Sequence, residues 1–367
     1  MKKYFNFTCL AMLAALLFLA SCEKDDLLQE EIPQGCNIVE VTENITTPTT
    51  WTEGNVYVIR QTISIRNVLT IEPGVTVKLK DASINVIEGK VIAAGTPQKR
   101  IVFTSLADDR YCGDSNDDAA LTMPEKGDWE RINLQDGTGH LFKYVDFFYA
   151  GQNSGGFYNA LKVGASSFEF DNCRFAHTLF SPSASYENAT AFYGGAAMTN
   201  PEMQKFTNNS FYDNGKPLYV WTHYTVNPNN KFHNPENPQQ QNSHNGIAMI
   251  RSSGGLDATV QWHVTEVPYI LDEYIQVYGS QVIDIGSNAV IKFKRAGAGI
   301  QRSSASNVIL PSSAILTSYK DDSVGGDTNG DGNASAPAKG DWLGFRNAYS
   351  GNPYYEESVN IRYAKNP

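Results

Sequence analysis

The sequence has few of the residues, and none of the short motifs, on which common enzyme active sites are built. Its 367 residues include 6 histidines and 5 cysteines. It contains no G-x-S-x-G nucleophile elbow, no H-E-x-x-H zinc motif and no C-x-x-C pair. The glycine-rich AGAG at residues 296–299 lacks the spacing of a phosphate-binding loop. These absences disfavour the serine hydrolase, metalloprotease and nucleotide-binding classes.

Long apolar runs are also scarce, and the run at the N-terminus is too short to cross a membrane. Lys2 and Lys3 precede an apolar run of 12 residues, Cys9 to Ala20, whereas a membrane-spanning helix needs about 20. The run ends in LASC, residues 19–22. This pattern predicts a secretory signal over residues 1–21, because such signals have a basic start, a short apolar run and small residues before the cleavage site.

The tetrapeptide LASC resembles a bacterial lipobox, in which the cysteine, here Cys22, becomes the lipidated first residue of the mature protein. The resemblance implies an anchor in the outer membrane through acyl chains on Cys22. The next residues, EKDD at 23–26, resemble the acidic export tag of Bacteroidetes lipoproteins. We therefore expect a cell outer membrane protein that faces the exterior.

Basic residues are in the minority once the signal is removed. The mature chain keeps 27 Lys and Arg residues against 39 Asp and Glu residues, a net charge of −12. This charge repels phosphate backbones, so nucleic acid is not an expected partner. Cys36, Cys112 and Cys173 remain besides Cys22 and can form at most one disulfide bond. We expect no disulfide to be essential.

The texture of the sequence changes near residue 50. Residues 22–48 are rich in Glu, Asp, Thr and Pro without periodicity, and predict a flexible tether. From Trp51 onwards, β-branched and polar residues alternate and are interrupted by turns such as Pro73-Gly74. No later stretch has a convincing helical period, so the folded body is predicted to be all-β.

Internal repetition indicates which kind of β-fold this is. TIEPGVTVKL at residues 70–79 is echoed by DIGSNAVIKF at 284–293, and IVFTS at 101–105 by AILTS at 314–318. The offset between matching residues stays between 211 and 214. Such a long period is typical of repeat architectures. It predicts two related units, residues 49–261 and a shorter unit, residues 262–367.

A shorter recurrence within the first unit favours a solenoid. CRFAHT at residues 173–178 and SFYDNG at 210–215 each place Phe after a polar residue, and Asn recurs at the bends. Units this small bury their apolar face only when stacked. Stacked aromatic and Asn ladders favour a parallel β-helix. A β-sandwich is the alternative, and it predicts frequent turns without the long-period match.

Several phrases resemble those of a known group of proteins. LTIEPGVTVKL, IAAGTPQKRIVFTS, DDSVGGDTNGDG and VNIRYAK are similar to recurring phrases of right-handed parallel β-helix lipoproteins of Bacteroidetes. The resemblance is strongest over residues 50–155 and 262–367. It implies a right-handed parallel β-helix outside the cytoplasm. It implies little about activity, since many members of the group have no assigned function.

Two acidic loops stand at matching points of the two units. DDRYCGDSNDD at residues 108–118 and DDSVGGDTNGDG at 321–332 each lead to the tetrapeptide KGDW. Oxygen-bearing side chains at every second position can surround a calcium ion, which takes six to eight oxygen ligands. The alternative is a solvated turn whose Asp and Asn side chains cap their own backbone. The candidate ligands for a structural Ca²⁺ are Asp108, Asp109, Asp114, Asn116, Asp118 and Asp128 in the first loop, and Asp321, Asp322, Asp327, Asn329, Asp331 and Asp341 in the second.

Neither loop is an EF-hand. The twelfth position of the second loop is Ala338 instead of the bidentate Glu, and the sixth position of the first loop is Ala119 where an EF-hand requires Gly. Pro124 and Pro337 oppose the helix that would follow. The missing glycine makes the first loop the weaker candidate. We expect both loops to project from the ends of coils.

Four tryptophans stand at matching points of the units. Trp129 and Trp342, in the two KGDW motifs, are either sugar-stacking rings or core residues that seat the loops, and their matched positions favour the core. Trp51 and Trp262 open the two units and predict caps over exposed ends of the solenoid.

The expected function is that of a non-catalytic surface adhesin or a glycan-binding or structural module, with a glycan or a surface protein as partner. The alternative is a polysaccharide lyase or glycoside hydrolase acting in a groove, for which Arg131, Arg174 and Arg251 are weak candidates. His223, His233 and His244 lie in or beside a Pro- and Asn-rich loop, and such a loop does not predict a metal site. The tyrosines that could line a binding face are Tyr149, Tyr158, Tyr193, Tyr212 and Tyr219.

Overall fold

The computed structural model describes residues 36–165, 167–181, 189–195, 202–251, 256, 259–348 and 354–366. The predicted signal, Cys22 and residues 23–35 of the predicted tether lie outside these residues. The described chain is all-β, with short strands and one 3-10 turn, Ala305–Asn307. No helix in this part of the chain has the length and apolar character of a membrane span.

The strands are short, mostly three to five residues each. The strands before residue 222 are β1 (Asn37–Glu40), β2 (Thr49–Trp51), β3 (Asn55–Ile59), β4 (Ile63–Ile65), β5 (Val68–Ile71), β6 (Thr76–Leu79), β7 (Ile84–Val86), β8 (Lys90–Ala94), β9 (Ile101–Ser105), β10 (Ile132–Leu134), β11 (His140–Lys143), β12 (Val145–Phe148), β13 (Leu161–Val163), β14 (Phe168–Asp171), β15 (Arg174–Ala176), β16 (Phe192–Gly194), β17 (Gln204–Thr207), β18 (Ser210–Tyr212) and β19 (Leu218–Trp221). The later strands are β20 (His233–Asn234), β21 (Asn237–Gln241), β22 (Ile247–Ile250), β23 (Val260–Trp262), β24 (Tyr269–Leu271), β25 (Tyr274–Val277), β26 (Ile283–Ile285), β27 (Val290–Phe293), β28 (Gly299–Arg302), β29 (Val308–Ile309), β30 (Ile315–Ser318), β31 (Gly344–Asn347) and β32 (Tyr354–Tyr355).

Successive coils of the chain stack these strands into parallel sheets. In the first unit each coil gives one strand to each of three sheets: sheet I (β1-β3-β6-β9-β12-β15-β18), sheet II (β4-β7-β10-β13-β16-β19) and sheet III (β2-β5-β8-β11-β14-β17). Sheet II continues through β22, at the end of the first unit, into β24-β27-β30 of the second unit. There it is flanked by sheet IV (β23-β26-β29) and sheet V (β25-β28-β31-β32). Only the β20–β21 and β31–β32 pairs are antiparallel among the described strands. This is the predicted parallel β-helix, and the parallel pairing excludes a β-sandwich.

The two units are out of step by one face of the solenoid. Strands β3, β6 and β9 belong to sheet I, whereas their sequence counterparts β24, β27 and β30 belong to sheet II. Likewise β4 and β7 belong to sheet II, whereas their counterparts β25 and β28 belong to sheet V. The acidic loops that follow β9 and β30 therefore lie against different sheets.

The interior is filled by stacked apolar side chains, as the sequence predicts. Buried Asn side chains at the bends donate hydrogen bonds to backbone carbonyls of neighbouring coils; they are Asn209, Asn214, Asn230 and Asn242. A ladder of phenylalanine rings, with neighbouring centroids 4.8–5.8 Å apart, consists of Phe103, Phe147, Phe175, Phe211 and Phe232. Both ladders confirm the predicted interior.

The folded body begins earlier than the sequence suggests. The predicted tether, residues 22–48, includes β1, which pairs in parallel with β3. Cys36 forms a disulfide with Cys112, so the start of β1 is covalently joined to the first acidic loop. Cys173 is buried and carries no disulfide. The tether prediction is wrong beyond residue 36, because polar composition does not reveal pairing with a distant strand.

Trp262 is not a cap over an exposed end. Trp51 lies near the first coil, stacks on Tyr57 and is nearly buried. Trp262 stacks on Tyr269 in the same manner and is fully buried. The solenoid continues past Trp262 because sheet II runs without a break from β22 to β24.

Candidate metal centres in the two acidic loops

Loop 1, residues 106–128, follows β9 and lies on the outer face of sheet I. Its Leu106 packs with Val56 and Val58, which alternate with core-facing residues of β3. Its Tyr111 packs on Phe148 of β12. The loop covers outward-facing apolar side chains that would otherwise meet water.

Loop 2, residues 319–341, follows β30 and lies on the outer face of sheet II. Its Tyr319 packs against Ala248 and Ile270. The expectation that the acidic loops project from the ends of coils is wrong for both. Each loop instead covers an apolar patch on a sheet.

A buried lysine fastens each loop to the sheet beneath it. Lys78 of β6 is fully buried and donates a hydrogen bond to the carbonyl oxygen of Gly113 at 2.6 Å. Lys292 of β27 donates to the carbonyl oxygen of Gly326, also at 2.6 Å. Burial lowers the pKa of both ammonium groups, that of Lys292 to about 8. Each lysine fixes the peptide group directly before a candidate metal-ligating aspartate.

Three aspartates converge in each loop. In each set, one carboxylate oxygen from every member lies within 4.8 Å of those of the other two. Carboxylates this close repel one another unless a cation lies among them. The triad of loop 1 is Asp109, Asp114 and Asp118, and the triad of loop 2 is Asp322, Asp327 and Asp331.

The middle member of each triad is oriented by backbone amides. Asp114 accepts hydrogen bonds from the N–H groups of Asp117 at 2.7 Å and Ala119 at 2.8 Å. Asp327 accepts from Gly330 at 2.7 Å and Gly332 at 2.8 Å. The backbone hydrogen bonds lower the pKa of Asp114, which favours the ionised ligand.

The first member of each triad has no such support. The carboxylates of Asp109 and Asp322 accept no hydrogen bond from any group in the described ranges, and Oδ1 of each is buried. Burial raises the pKa of both carboxyls. The neighbouring aspartates add to the rise, and the positive charge of the lysine beneath each loop opposes it. A buried carboxylate oxygen without a partner is costly, so it needs a counter-ion or a proton.

Further buried oxygens lie in the same loops. Oδ1 of Asn116 in loop 1 and Oδ1 of Asp331 in loop 2 have no hydrogen-bond partner among the described residues. The predicted ligands Asn116 and Asn329 turn their amide nitrogens toward Asp118 at 2.6 Å and Asp331 at 2.8 Å. Carboxylates and amide oxygens are the donors that Ca²⁺ prefers, so the residues present fit the predicted ion.

Four predicted ligands lie outside the triads and have other partners. Asp108 accepts from Thr104 at 2.6 Å and also pairs with Arg110, and Asp321 accepts from Thr317 at 2.6 Å. These two carboxylates fix the first turn of their loops.

Asp128 and Asp341 fix the last turn. They accept from the backbone N–H groups of Glu125 and Ala338, each at 2.9 Å. They also accept from the hydroxyls of Ser105 and Ser318. Strand-end hydroxyls and turn amides hold the oxygens of these four carboxylates, which lie outside the triads. Their predicted part in completing the metal shell stays a prediction.

Ala119 does not prevent loop 1 from adopting the conformation of loop 2. Its φ is +54°, in the left-handed region, and Gly332 at the matching position has φ +69°. The missing glycine therefore does not change the backbone conformation at this position, and the weaker calcium binding expected of loop 1 stays a prediction.

Trp129 and Trp342 belong to the core. Both are fully buried. Their indole N–H groups donate to the carbonyls of Phe148 and Arg362, each at 2.7 Å. This confirms the structural interpretation over a sugar-stacking role.

The other candidate residues do not converge. Arg131 donates to the carbonyl of Ser154, Arg174 pairs with Glu236 and Arg251 pairs with Glu273. His233 bonds Glu266, whereas His244 contacts Phe180, and His223 lies beside Trp221. The tyrosines divide between two faces, with Tyr149 and Tyr212 over sheet I, Tyr193 and Tyr219 on sheet II, and Tyr158 in the loop before β13.

Sequence reasoning missed Lys78 and Lys292. An outward-facing lysine in an alternating strand predicts exposure, yet both side chains are buried beneath the loops. The signal that could have identified them is their similar spacing to the acidic loops, 35 residues from Lys78 to Gly113 and 34 from Lys292 to Gly326. Comparisons with protein-family models, with curated proteins and with solved structures give no match for this chain.

Proposed function

We propose that this protein is a calcium-stabilised β-helix module, anchored to the outer membrane through lipid on Cys22 and acting by binding, not by catalysis. The observation that carries the proposal is the pair of aspartate triads. Each brings three carboxylates together beside a buried, unpartnered oxygen and a buried lysine. Calcium would neutralise these carboxylates and fasten each loop to the solenoid.

The repeated placement supports a structural role for the metal. The two triads occupy equivalent positions after β9 and β30. A catalytic ion would require matching substrate-binding groups beside it in both loops. Because the two loops lie against different sheets, their surroundings differ, and this favours a structural ion.

A row of half-exposed side chains on sheet II supports the binding role, with a glycan as the favoured ligand. Lys162, Tyr193 and Tyr219 are consecutive rungs of this row. The Tyr193 and Tyr219 rings lie 5.7 Å apart, and the Lys162 ammonium lies 5.7 Å from the Tyr193 ring. The row continues toward the N-terminus with Ser64, Asn85 and Asn133. Amides and aromatic rings on a flat, rigid surface are suited to sugar hydroxyls and sugar faces.

The calcium proposal is tested by titrating the metal-free mature chain while the melting temperature and the protease sensitivity of each loop are recorded. Asp109→Asn and Asp322→Asn are the best variants, because neither carboxylate holds the loop by a hydrogen bond. We expect each variant to weaken calcium binding at its own loop at least about tenfold, the effect of losing one charged ligand. Unchanged melting and proteolysis on calcium addition would sink the proposal.

The binding role is tested on a glycan array, with Tyr193→Ala as the variant and Tyr278→Ala, an exposed tyrosine away from the row, as its matched control. We expect Tyr193→Ala to abolish binding of the glycans that the original chain binds, and Tyr278→Ala to leave that binding unchanged. Reducing-sugar and unsaturated-uronate assays on the same glycans check the enzyme alternative. Turnover of any polymer would overturn the non-catalytic assignment.

A further inference from the structure

Loop 1 carries two exposed apolar side chains that loop 2 lacks. Leu121 is 86 % exposed and Met123 is 78 % exposed. The matching residues of loop 2 are Ala334 and Ala336. Apolar side chains this exposed are unfavourable in water unless a partner covers them.

The folding of the loop does not explain these side chains. Both loops form the same internal hydrogen bonds: Asn116 donates to Thr122 at 3.1 Å, and Asn329 donates to Ser335 at 3.1 Å. Loop 2 forms its bond with alanines on either side of Ser335. Leu121 and Met123 are therefore available for contacts outside the chain.

The two side chains stand at a cleft that also contains cationic groups. The cleft has a volume of about 700 Å³ and is lined by Arg60, Lys80, Leu121 and Met123, with Glu125 and Asp128 also on its wall. Arg60 and Lys80 are about half exposed and pair loosely with acids at 3.5 Å and 3.7 Å. Exposed apolar side chains beside loosely paired cations suit the membrane interface, where acyl chains lie next to phosphate headgroups.

The chain itself leads from this loop toward the membrane. Cys36 is bonded to Cys112 in loop 1, and 13 residues lie between Cys22 and Cys36. Fully extended, such a segment spans at most about 50 Å. A lipid on Cys22 therefore limits how far loop 1 can move from the bilayer, whereas loop 2 has no covalent link to the start of β1.

We propose that loop 1 is a membrane-contact loop, in which Leu121 and Met123 enter the headgroup layer while Arg60 and Lys80 meet lipid phosphates. This inference rests on the proposed lipidation of Cys22 and the proposed calcium site. Calcium at the Asp109 triad reduces the repulsion between this acidic loop and anionic lipid. The contact fixes the orientation of the solenoid on the membrane.

The test uses the mature chain with Cys22→Ser, so that neither the apolar signal nor acyl chains contribute. Sedimentation with phosphatidylcholine vesicles, with and without phosphatidylglycerol, measures partitioning in calcium. We expect Leu121→Ala with Met123→Ala to lower partitioning at least about tenfold, since two apolar side chains no longer leave water. Val359→Ala, which removes a 93 % exposed side chain elsewhere, is the matched control and should change nothing.

Arg60→Gln with Lys80→Gln should lower partitioning on the anionic vesicles alone. Equal partitioning of the original chain and the Leu121/Met123 variant overturns the inference, and is the result expected if a protein covers the cleft instead. Calcium titration of the same samples separates the two proposals. Intact calcium binding with unchanged partitioning overturns only the membrane contact.

Discussion

Loops 1 and 2 reach the same shape by different means. Both have a lysine beneath, an aspartate triad at the centre and a buried tryptophan behind. In loop 2 the left-handed positions are occupied by glycine alone, with φ between +67° and +74°: Gly325, Gly326, Gly330 and Gly332. Glycine adopts this conformation without steric cost.

Loop 1 has glycine, Gly113, at one of these four positions and other residues at the remaining three, and it has one further left-handed residue, Ala120 at φ +63°. Cys112, Asp117 and Ala119 adopt φ between +54° and +59°. Each such residue costs on the order of 1–2 kcal/mol. Loop 1 also has the Cys36 disulfide, which loop 2 lacks. A covalent link in loop 1 thus offsets a backbone cost that loop 2 avoids through glycine.

Removal of the disulfide should give the largest difference between the loops. We expect Cys36→Ser with Cys112→Ser to destabilise the chain by about 2–4 kcal/mol, with loop 1 becoming protease-sensitive and loop 2 unchanged. Cys36→Ser with Cys112→Gly should recover about 1 kcal/mol of this loss, because glycine relieves the left-handed position. Equal denaturation midpoints for the two double variants would show that the left-handed conformation of residue 112 has no cost for the disulfide to offset.

The two lysines should behave alike, because this feature is shared. Lys78→Met and Lys292→Met each leave a loop carbonyl without its donor and remove a positive charge beside the triad. We expect each to destabilise the calcium-free chain by about 1–3 kcal/mol in urea denaturation. A loss at one position only would show that the loops are seated differently.

Exchanging the matched left-handed residues Ala119 and Gly332 should shift stability in opposite directions. Ala119→Gly relieves a left-handed alanine, and Gly332→Ala creates one. We expect a gain and a loss of about 1 kcal/mol, read from thermal melts at fixed calcium. Two losses would mean that Ala119 makes contacts that outweigh its backbone cost.

The smallest expected effect is that of Asp322→Asn on the pH dependence of stability, and its sign depends on whether calcium is bound. Burial raises the pKa of Asp322 in the folded chain, so stability of the metal-free protein falls as pH rises through that raised pKa. Asp322→Asn removes this loss, and the metal-free variant should lose less stability between acid and neutral pH. With calcium the ionised Asp322 is a ligand, so the variant should be the less stable form at neutral pH. Melts of both proteins across pH, with calcium and with chelator, measure the reversal.

Much of the fold could be predicted because the sequence repeats. Matching phrases separated by 211–214 residues indicated stacked coils, and the aromatic positions indicated the interior. The shift of the second unit by one face could not be predicted. Sequence periodicity records the order of strands but not the sheet that each one joins.

The candidate site was predicted only in part. The spacing identified Asp114, Asp118, Asp327 and Asp331, and the doubled acids placed Asp109 and Asp322 nearby. The sequence could not distinguish Asp109 and Asp322 from their neighbours Asp108 and Asp321, since adjacent aspartates are chemically alike. Asp108 and Asp321 differ because they accept hydrogen bonds from Thr104 and Thr317, and these bonds depend on how each strand ends.

The Cys36–Cys112 link also determines how the molecule carries a mechanical load. A pull applied to residues before Cys36 passes through the disulfide directly to residue 112. The strands between these two cysteines, β1 to β9, bear none of that tension along their backbone. The first coils therefore stay wound while force is transmitted to loop 1, and peeling of the solenoid from its N-terminal edge is prevented.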